Sequence, residues 1–448
     1  MVKEKEFYRS LFIVALPAAF QGLISLGVNM LDNLMVGSLD DLTLASVSLA
    51  NQATTLFTFL VNGIGGGAAV LISQYWGKKD YDRIRRIFGV ILRFTAAVAF
   101  LICGLVVCFP RQTMAIFTND ASMIEVGARY LRIVCLSYPL FALSNTMVVM
   151  LRWMEIVKIG LIISSISLVT NFCFNYLLIF GKLGFPALGA EGAAIATVIA
   201  RLFELCIAAY YLFVRESRVC FRLRHLFTRD REMAGDFWRH SVPIILGDSQ
   251  WGLVGAAKAM LIGRLGVTMV SANSIADVFL SLALIFTNGL SNGACVVVGK
   301  SVGEKDYAKT RQYSNTIQII FAGLAVLVSG LVLGMSRIVP SFYNVSAETQ
   351  ALASTFLMIG AFTHLGTCYH AACFTGINRG AGDGKFVMKV DMICGWLVVI
   401  PLTFLAGFVF HWPLWAVYLC TRIDQCFKWI IAFIRLRGDK WIQNVTRD

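Results

Sequence analysis

Apolar runs of membrane-crossing length alternate with short polar stretches along the whole chain. About twelve can be read, approximately 11–36, 42–75, 88–109, 128–151, 159–180, 190–214, 240–263, 269–299, 314–335, 350–377, 386–410 and 413–435. A helix of roughly 20 apolar residues crosses the hydrocarbon core. Helices are expected because lipid offers no partner to an open backbone group. The polar/apolar alternation of outer-membrane strands is not seen in these runs. The pattern predicts an all-α polytopic membrane protein. Lys3, Lys5 and Arg9 lead straight into the first run, with no small-residue cleavage site behind it, so that run is read as a retained span.

The pattern is also written twice. GKKDY at 77–81 returns as GEKDY at 303–307, 226 residues later. At the same offset Pro17 matches Pro243, Gly37 matches Gly263, and Gly67-Ala68 matches Gly293-Ala294. Six runs per copy is an even number, so both copies enter the membrane in the same sense. The expected organisation is two six-helix lobes related as parallel repeats: residues 1–214, a basic linker at 215–239, and residues 240–448 with a short tail. Internal repeats with a site near their interface are a common plan for secondary transporters. Pro17 lies in the first run, where it removes a backbone hydrogen bond and favours a bend, and Pro243 is expected to begin the seventh.

Composition agrees with a membrane protein. Hydrophobic residues make up 58% and charged ones 15%, against about a quarter charged in soluble domains. The net charge of +13 would suit a nucleic-acid binder, but its distribution points elsewhere. Loops assigned to the inner side carry 28 Lys and Arg, seven of them in 215–240, and those assigned outside carry 5. The positive-inside rule accounts for that without a nucleic-acid partner and puts both termini in the cytoplasm. The twelve cysteines lie mostly in apolar runs and form no CxxC, so they read as small buried apolar residues.

No catalytic constellation, cofactor motif or metal spacing stands out. GACVVVGKS at 293–301 misses the P-loop spacing by one residue and ends an apolar run. An enzyme is therefore not expected. NVS at Asn344 would be a glycosylation acceptor in a eukaryotic host.

Ionisable groups inside the membrane are expensive and usually face a partner or a water-filled cavity. The acids in the runs are Asp32, Glu204, Asp248, Asp277, Asp391 and Asp424; the bases are Arg93, Arg201, Lys258, Arg422 and Lys428. Arg201 with Glu204 and Asp424 with Lys428 are spaced to pair on one helix. Lys258 and Asp277 fall at similar depth on helices joined by a short loop, which predicts an ion pair or a shared hydrogen-bond network. At the repeat offset Lys258 matches Asp32, so Asp32 is the acid with no local base. A carboxylate in low dielectric takes up a proton readily when unpaired, and when ionised it can ligate Na⁺. Asn171 and Asn175 share one helical face, and Thr197 lies in the next run; each could hydrogen-bond that carboxylate or coordinate a cation.

Several stretches resemble the multidrug and toxic compound extrusion (MATE) family: LPAAFQGLISLGVNMLDNLMVG at 16–37, LANQ at 49–52, SQYWGKKD at 73–80, NYLLIFGKLGFPALGAEGAAIAT at 175–197 and NRGAGDGKF at 378–386. The likeness spans residues 8–437. It implies two six-helix lobes around a central cavity and export of organic, often cationic, compounds in exchange for H⁺ or Na⁺, with no cofactor. It implies that Asp32 is the first-lobe coupling carboxylate, with Asn171, Asn175 and Thr197 around it. Asp248 falls where many relatives have a Glu, which implies a second-lobe site including Asp248, Lys258 and Asp277. Pro17 matches a proline at which the helix bends. The partners implied are a small organic substrate and the lipid bilayer, in a monomer of the bacterial inner membrane. The alternative is a lipid-linked oligosaccharide flippase of the same superfamily, for which more cavity cations and extra spans are expected.

Overall fold

The backbone follows the apolar pattern. The computed structural model describes residues 2–228, 230–343 and 345–447, so Asn344 and its glycosylation reading lie outside the described residues. The helices are α1 (Lys5–Gly37), α2 (Asp41–Lys78), α3 (Tyr81–Cys108), α4 (Pro110–Ala115), α5 (Ala121–Val134), α6 (Ser137–Arg152), α7 (Lys158–Phe180) and α8 (Gly189–Tyr210). They continue with α9 (Arg224–Phe227), α10 (Arg231–Gly263), α11 (Val267–Gly303), α12 (Tyr307–Met335), α13 (Ala347–Ala371), α14 (Gly384–Met392), α15 (Ile400–Phe404), α16 (Leu414–Cys420) and α17 (Ile423–Arg437). Wide-turn segments extend α8 at Tyr211–Arg215 and α13 at Ala372–Asn378, and join α14 to α15 at Ile393–Val399.

Among the described residues nine helical stretches are long and apolar enough to cross a membrane, and α5 with α6, bent by 49°, would make a tenth. The other two of the twelve expected runs are α10 and α16 with α17. The first has the length, 33 residues, but Asp248, Ser249, Gln250 and Lys258 interrupt its apolar face. The second is broken at Thr421-Arg422 between two short helices. Pro243 does not begin a helix: it lies inside α10, as Pro17 lies inside α1.

Two compact units emerge. One comprises Met1–Ala19, Ala69–Lys78 and Leu246–Asp448; the other comprises Phe20–Ala68 and Lys79–Ile245. The first has a core in which Phe7, Leu11 and Ala15 of α1 pack with Ala294, Val298 and Val302 of α11 and with Ile317 and Phe321 of α12. In the second, Val47, Ala50 and Phe57 of α2 pack with Leu131 and Tyr138 and with Ala193 and Ala194 of α8. The chain leaves one unit for the other two residues after each proline, at Ala19 and at Ile245.

The repeated pentapeptide is a helix end, a turn and a capped helix start. Lys79 (φ 61°) and Lys305 (φ 62°) take the left-handed conformation. Asp80 and Asp306 then accept from the N–H groups of Arg83 (3.1 Å) and Lys309 (3.0 Å), capping α3 and α12. Within the first unit the ends of α2 and α11 cross at their glycines. A Cβ on Gly77 would strike the Lys300 carbonyl, and one on Gly303 the Gln74 carbonyl. Gln74 and Lys300 are also 226 residues apart, so the contact is reciprocal. The chain after α17 runs over this crossing. Gln74 donates to the carbonyls of Gly380 (3.1 Å) and Gln443 (3.2 Å), accepts from the Val445 N–H (2.9 Å), and Trp441 is fully buried.

Candidate functional site

Helices α1 and α7 bring three of the expected residues together. Asn171 and Asn175 are one turn apart on α7 and both are buried. The Asn175 side-chain N–H₂ donates to Asp32 Oδ1 (2.5 Å) and to Asn171 Oδ1 (3.0 Å). Asn175 Oδ1 is buried and receives no hydrogen bond from the protein. A buried amide oxygen without a donor is costly, so it marks a place where a proton on a neighbour, or a cation, would be stabilising. Thr197 is on α8, but its hydroxyl donates back to the Ala193 carbonyl of its own helix (3.0 Å) and does not bond this trio.

The expectation that Asp32 has no local base needs correction. Arg201 of α8 acts on it electrostatically. Arg201 also makes the pair expected from spacing: Nη1 donates to both Glu204 oxygens, at 2.8 and 2.9 Å. Tyr130 is close enough for its hydroxyl to feel the Asp32 charge, and it donates to Asn51 Oδ1 (3.3 Å). The links Asp32–Arg201 and Tyr130–Asn51 join distant helices, and nothing in spacing announces them.

In the other unit the charges regroup. Asp248 of α10 is paired with Arg379, which follows the wide turn after α13, at 2.6 Å. Lys428, almost wholly buried, lies 2.8 Å from Asp424, as spacing implies, and 3.0 Å from Asp391 of α14. Asp391 Oδ1 is near the ammonium without the alignment of a hydrogen bond. The expected ion pair of Lys258 with Asp277 is not formed. Asp277 accepts from the Asn273 amide of its own helix (2.7 Å) and faces the charge of Arg422 more strongly than that of Lys258. Lys258 in turn faces Asp424 more strongly than Asp277. The short α10–α11 loop does make the helices neighbours, but charges from the start of α17 compete for both groups.

These donor sets are chemically narrow. A carboxylate with amide oxygens is a hard-oxygen environment suited to a proton or an alkali cation, and not to a soft metal. Among the described residues no three His, Cys, Asp or Glu side chains are grouped to hold a metal ion.

The MatE family model matches residues 17–177 and 243–405, two stretches that start 226 residues apart. "Uncharacterized transporter YisQ" of Bacillus subtilis (strain 168) is 22% identical, over 97% of this chain and 95% of its own length. "Probable multidrug resistance protein NorM" of Agrobacterium fabrum is 26% identical, over 90% of this chain and 87% of its own. A crystal structure of the Vibrio cholerae MATE transporter VcmN shares the fold, with a TM-score of 0.88 at 14% identity over 98% of this chain and 99% of that one.

Proposed function

Because the chain belongs to the MatE family, whose members are membrane transporters and not enzymes, we propose that it is a secondary antiporter with Asp32 as its coupling carboxylate. It exports organic, largely cationic, compounds in exchange for H⁺ or Na⁺ by alternating access. The observation that carries this reading is the orphaned Asn175 Oδ1 beside the Asp32–Asn175–Asn171 chain.

An Asp32 carboxyl that gains a proton becomes a donor and can satisfy a lone acceptor. Ionised, it offers Na⁺ a carboxylate oxygen next to two amide oxygens. Either event changes the charge beside Arg201 and so favours a different arrangement of α1, α7 and α8. A ligand shifts a conformational equilibrium only by its differential affinity for the two states, and a cation bound at Asp32 in one state supplies that difference. Thr197 lies in the outer part of this network. In the other unit Asp277 is the group available for a second titration, together with Lys258, while Asp248 is held by Arg379. Pro17 supplies the point at which α1 bends. The protein works as a monomer in the bacterial cell membrane, with both termini in the cytoplasm.

Ethidium efflux from transporter-deficient cells tests the reading. Cells expressing the wild type should clear the dye, and Asp32→Asn should clear it no faster than cells without a transporter at equal expression. Loss of efflux on collapse of the proton gradient assigns H⁺, and dependence on added Na⁺ assigns Na⁺. Efflux that survives in Asp32→Asn would sink the coupling role. A well-expressed wild type that moves no organic cation would reopen the substrate, with lipid-linked oligosaccharide the next to try.

A further inference from the structure

The Arg-rich linker has no part in the cation chemistry, yet it builds a basic cavity. Between the start of α3 and the linker lies a space of about 300 Å³ lined by Asp82, Arg85, Arg86, His225, Thr228 and Asp230. The linker is pinned to α3 here. Arg93 donates to the Thr228 carbonyl (2.7 Å), and Gly89 lets the His225 carbonyl approach so closely that a Cβ would collide with it.

The two acids are partly committed. Asp82 pairs with Arg85 (3.1 Å), and Asp230 pairs with Arg86 (3.1 Å) while capping α10 through the Glu232 (3.1 Å) and Met233 (3.0 Å) N–H groups. A guanidinium carries five N–H donors and one carboxylate contact leaves most of them open; Arg85 Nε is buried and has no acceptor. Arg222 and Arg224 add further positive charge. Burial, followed by Arg224, Arg85 and Arg222, holds the His225 imidazole below its usual range, so the cavity already disfavours one more cation. His225 Nδ1 accepts from the Arg222 N–H (2.9 Å), which leaves Nε2 for other contacts.

The second observation is apolar. Leu223 and Phe227 flank this cationic patch and are 62% and 83% exposed, although they belong to the most polar segment of the chain. Basic and large apolar side chains together on a short peripheral element are the composition of segments that lie in the membrane interface.

We propose that this cavity binds the phosphate of an anionic phospholipid from the leaflet on the linker's side. Arg85 and Arg86 hold the phosphate oxygens, and Leu223 and Phe227 rest against the glycerol and upper acyl chains. Forked guanidinium donors match phosphate geometry, and basic pockets at helix ends recur as lipid-headgroup sites. The apolar pair selects lipid over free phosphate.

Purified full-length protein would be titrated with short-chain phosphatidylglycerol, phosphatidylcholine or inorganic phosphate while its thermal unfolding is followed. Phosphatidylglycerol should raise the Tm of the wild type at concentrations where phosphatidylcholine does not. Arg85→Gln/Arg86→Gln should need about tenfold more phosphatidylglycerol for the same rise, the loss expected from one charge-assisted contact. Leu223→Ser/Phe227→Ser should weaken the lipid response and leave the phosphate response unchanged. Equal protection of the wild type by the two lipids overturns the proposal, and this comparison holds even where a variant does not fold. Protection by inorganic phosphate equal to that by phosphatidylglycerol overturns the lipid as the occupant. Undiminished affinity in a folded arginine variant overturns the site.

Discussion

Asp248 and Arg379 are 131 residues apart in the chain and 2.6 Å apart in space. Removing the carboxylate in Asp248→Asn strands a guanidinium that is only 14% exposed, which costs about 3 kcal/mol on the scale for broken buried pairs. Thermal denaturation in detergent should show the loss, and Asp248→Asn/Arg379→Met should recover most of it. An unshifted Tm combined with lost efflux would instead put Asp248 in the transport cycle. Asn175→Leu removes the donor to Asp32 without touching the acid. Efflux should fall to background with expression maintained, and normal efflux would show that Asp32 works without that hydrogen bond. The pairs legible in the sequence are those within one helix: Arg201–Glu204, Asp424–Lys428 and Asn171–Asn175 stand three or four residues apart, where helical geometry sets the distance. Asp391–Lys428, Asp248–Arg379 and Asp32–Arg201 depend on which helices adjoin, and spacing carries no such information. The proposed Lys258–Asp277 pair failed for the same reason: two neighbouring helices were foreseen and a third was not.

At the level of the element, the pentapeptide repeat was visible at once, but its meaning was not, since the same residues serve a cap, a turn and a crossing. Gly77→Ala and Gly303→Ala each drive a methyl group into a carbonyl of the opposite helix. Both should lower the Tm, by similar amounts because the contact is reciprocal. Gly104 and Gly323 have nothing within 4 Å of a Cβ. Replacing either by Ala should be neutral, or stabilising by up to about 1 kcal/mol through helix propensity. A drop in Tm at Gly323 comparable to that at Gly303 would refute the crossing as the cause. Helix existence was legible for the strongly apolar runs, because apolar length is the signal that lipid itself imposes. It was weakest for α10 and for α16 with α17, where the charges that make the cluster around Lys428 also dilute the apolar signal.

For the whole molecule, the repeat suggests two halves cut at the linker, but the compact units do not follow that cut. Phe7, Leu11 and Ala15 fill a core otherwise made by α11, α12 and the chain around Ile377 and Trp441. A fragment of residues 240–448 expressed alone should therefore be degraded or protease-sensitive, and co-expression with residues 1–239 should rescue it. A protease-resistant fragment on its own would show that the α1 contacts are dispensable. The same core sets a timetable. Leu11 is among the first residues a ribosome makes and Trp441 among the last, so at about 5–20 residues per second the gap of about 430 residues is roughly 20–90 s. Through that interval the inner face of α1 has lipid for company instead of its native neighbours, and the first helix to reach the membrane is among the last to find its place.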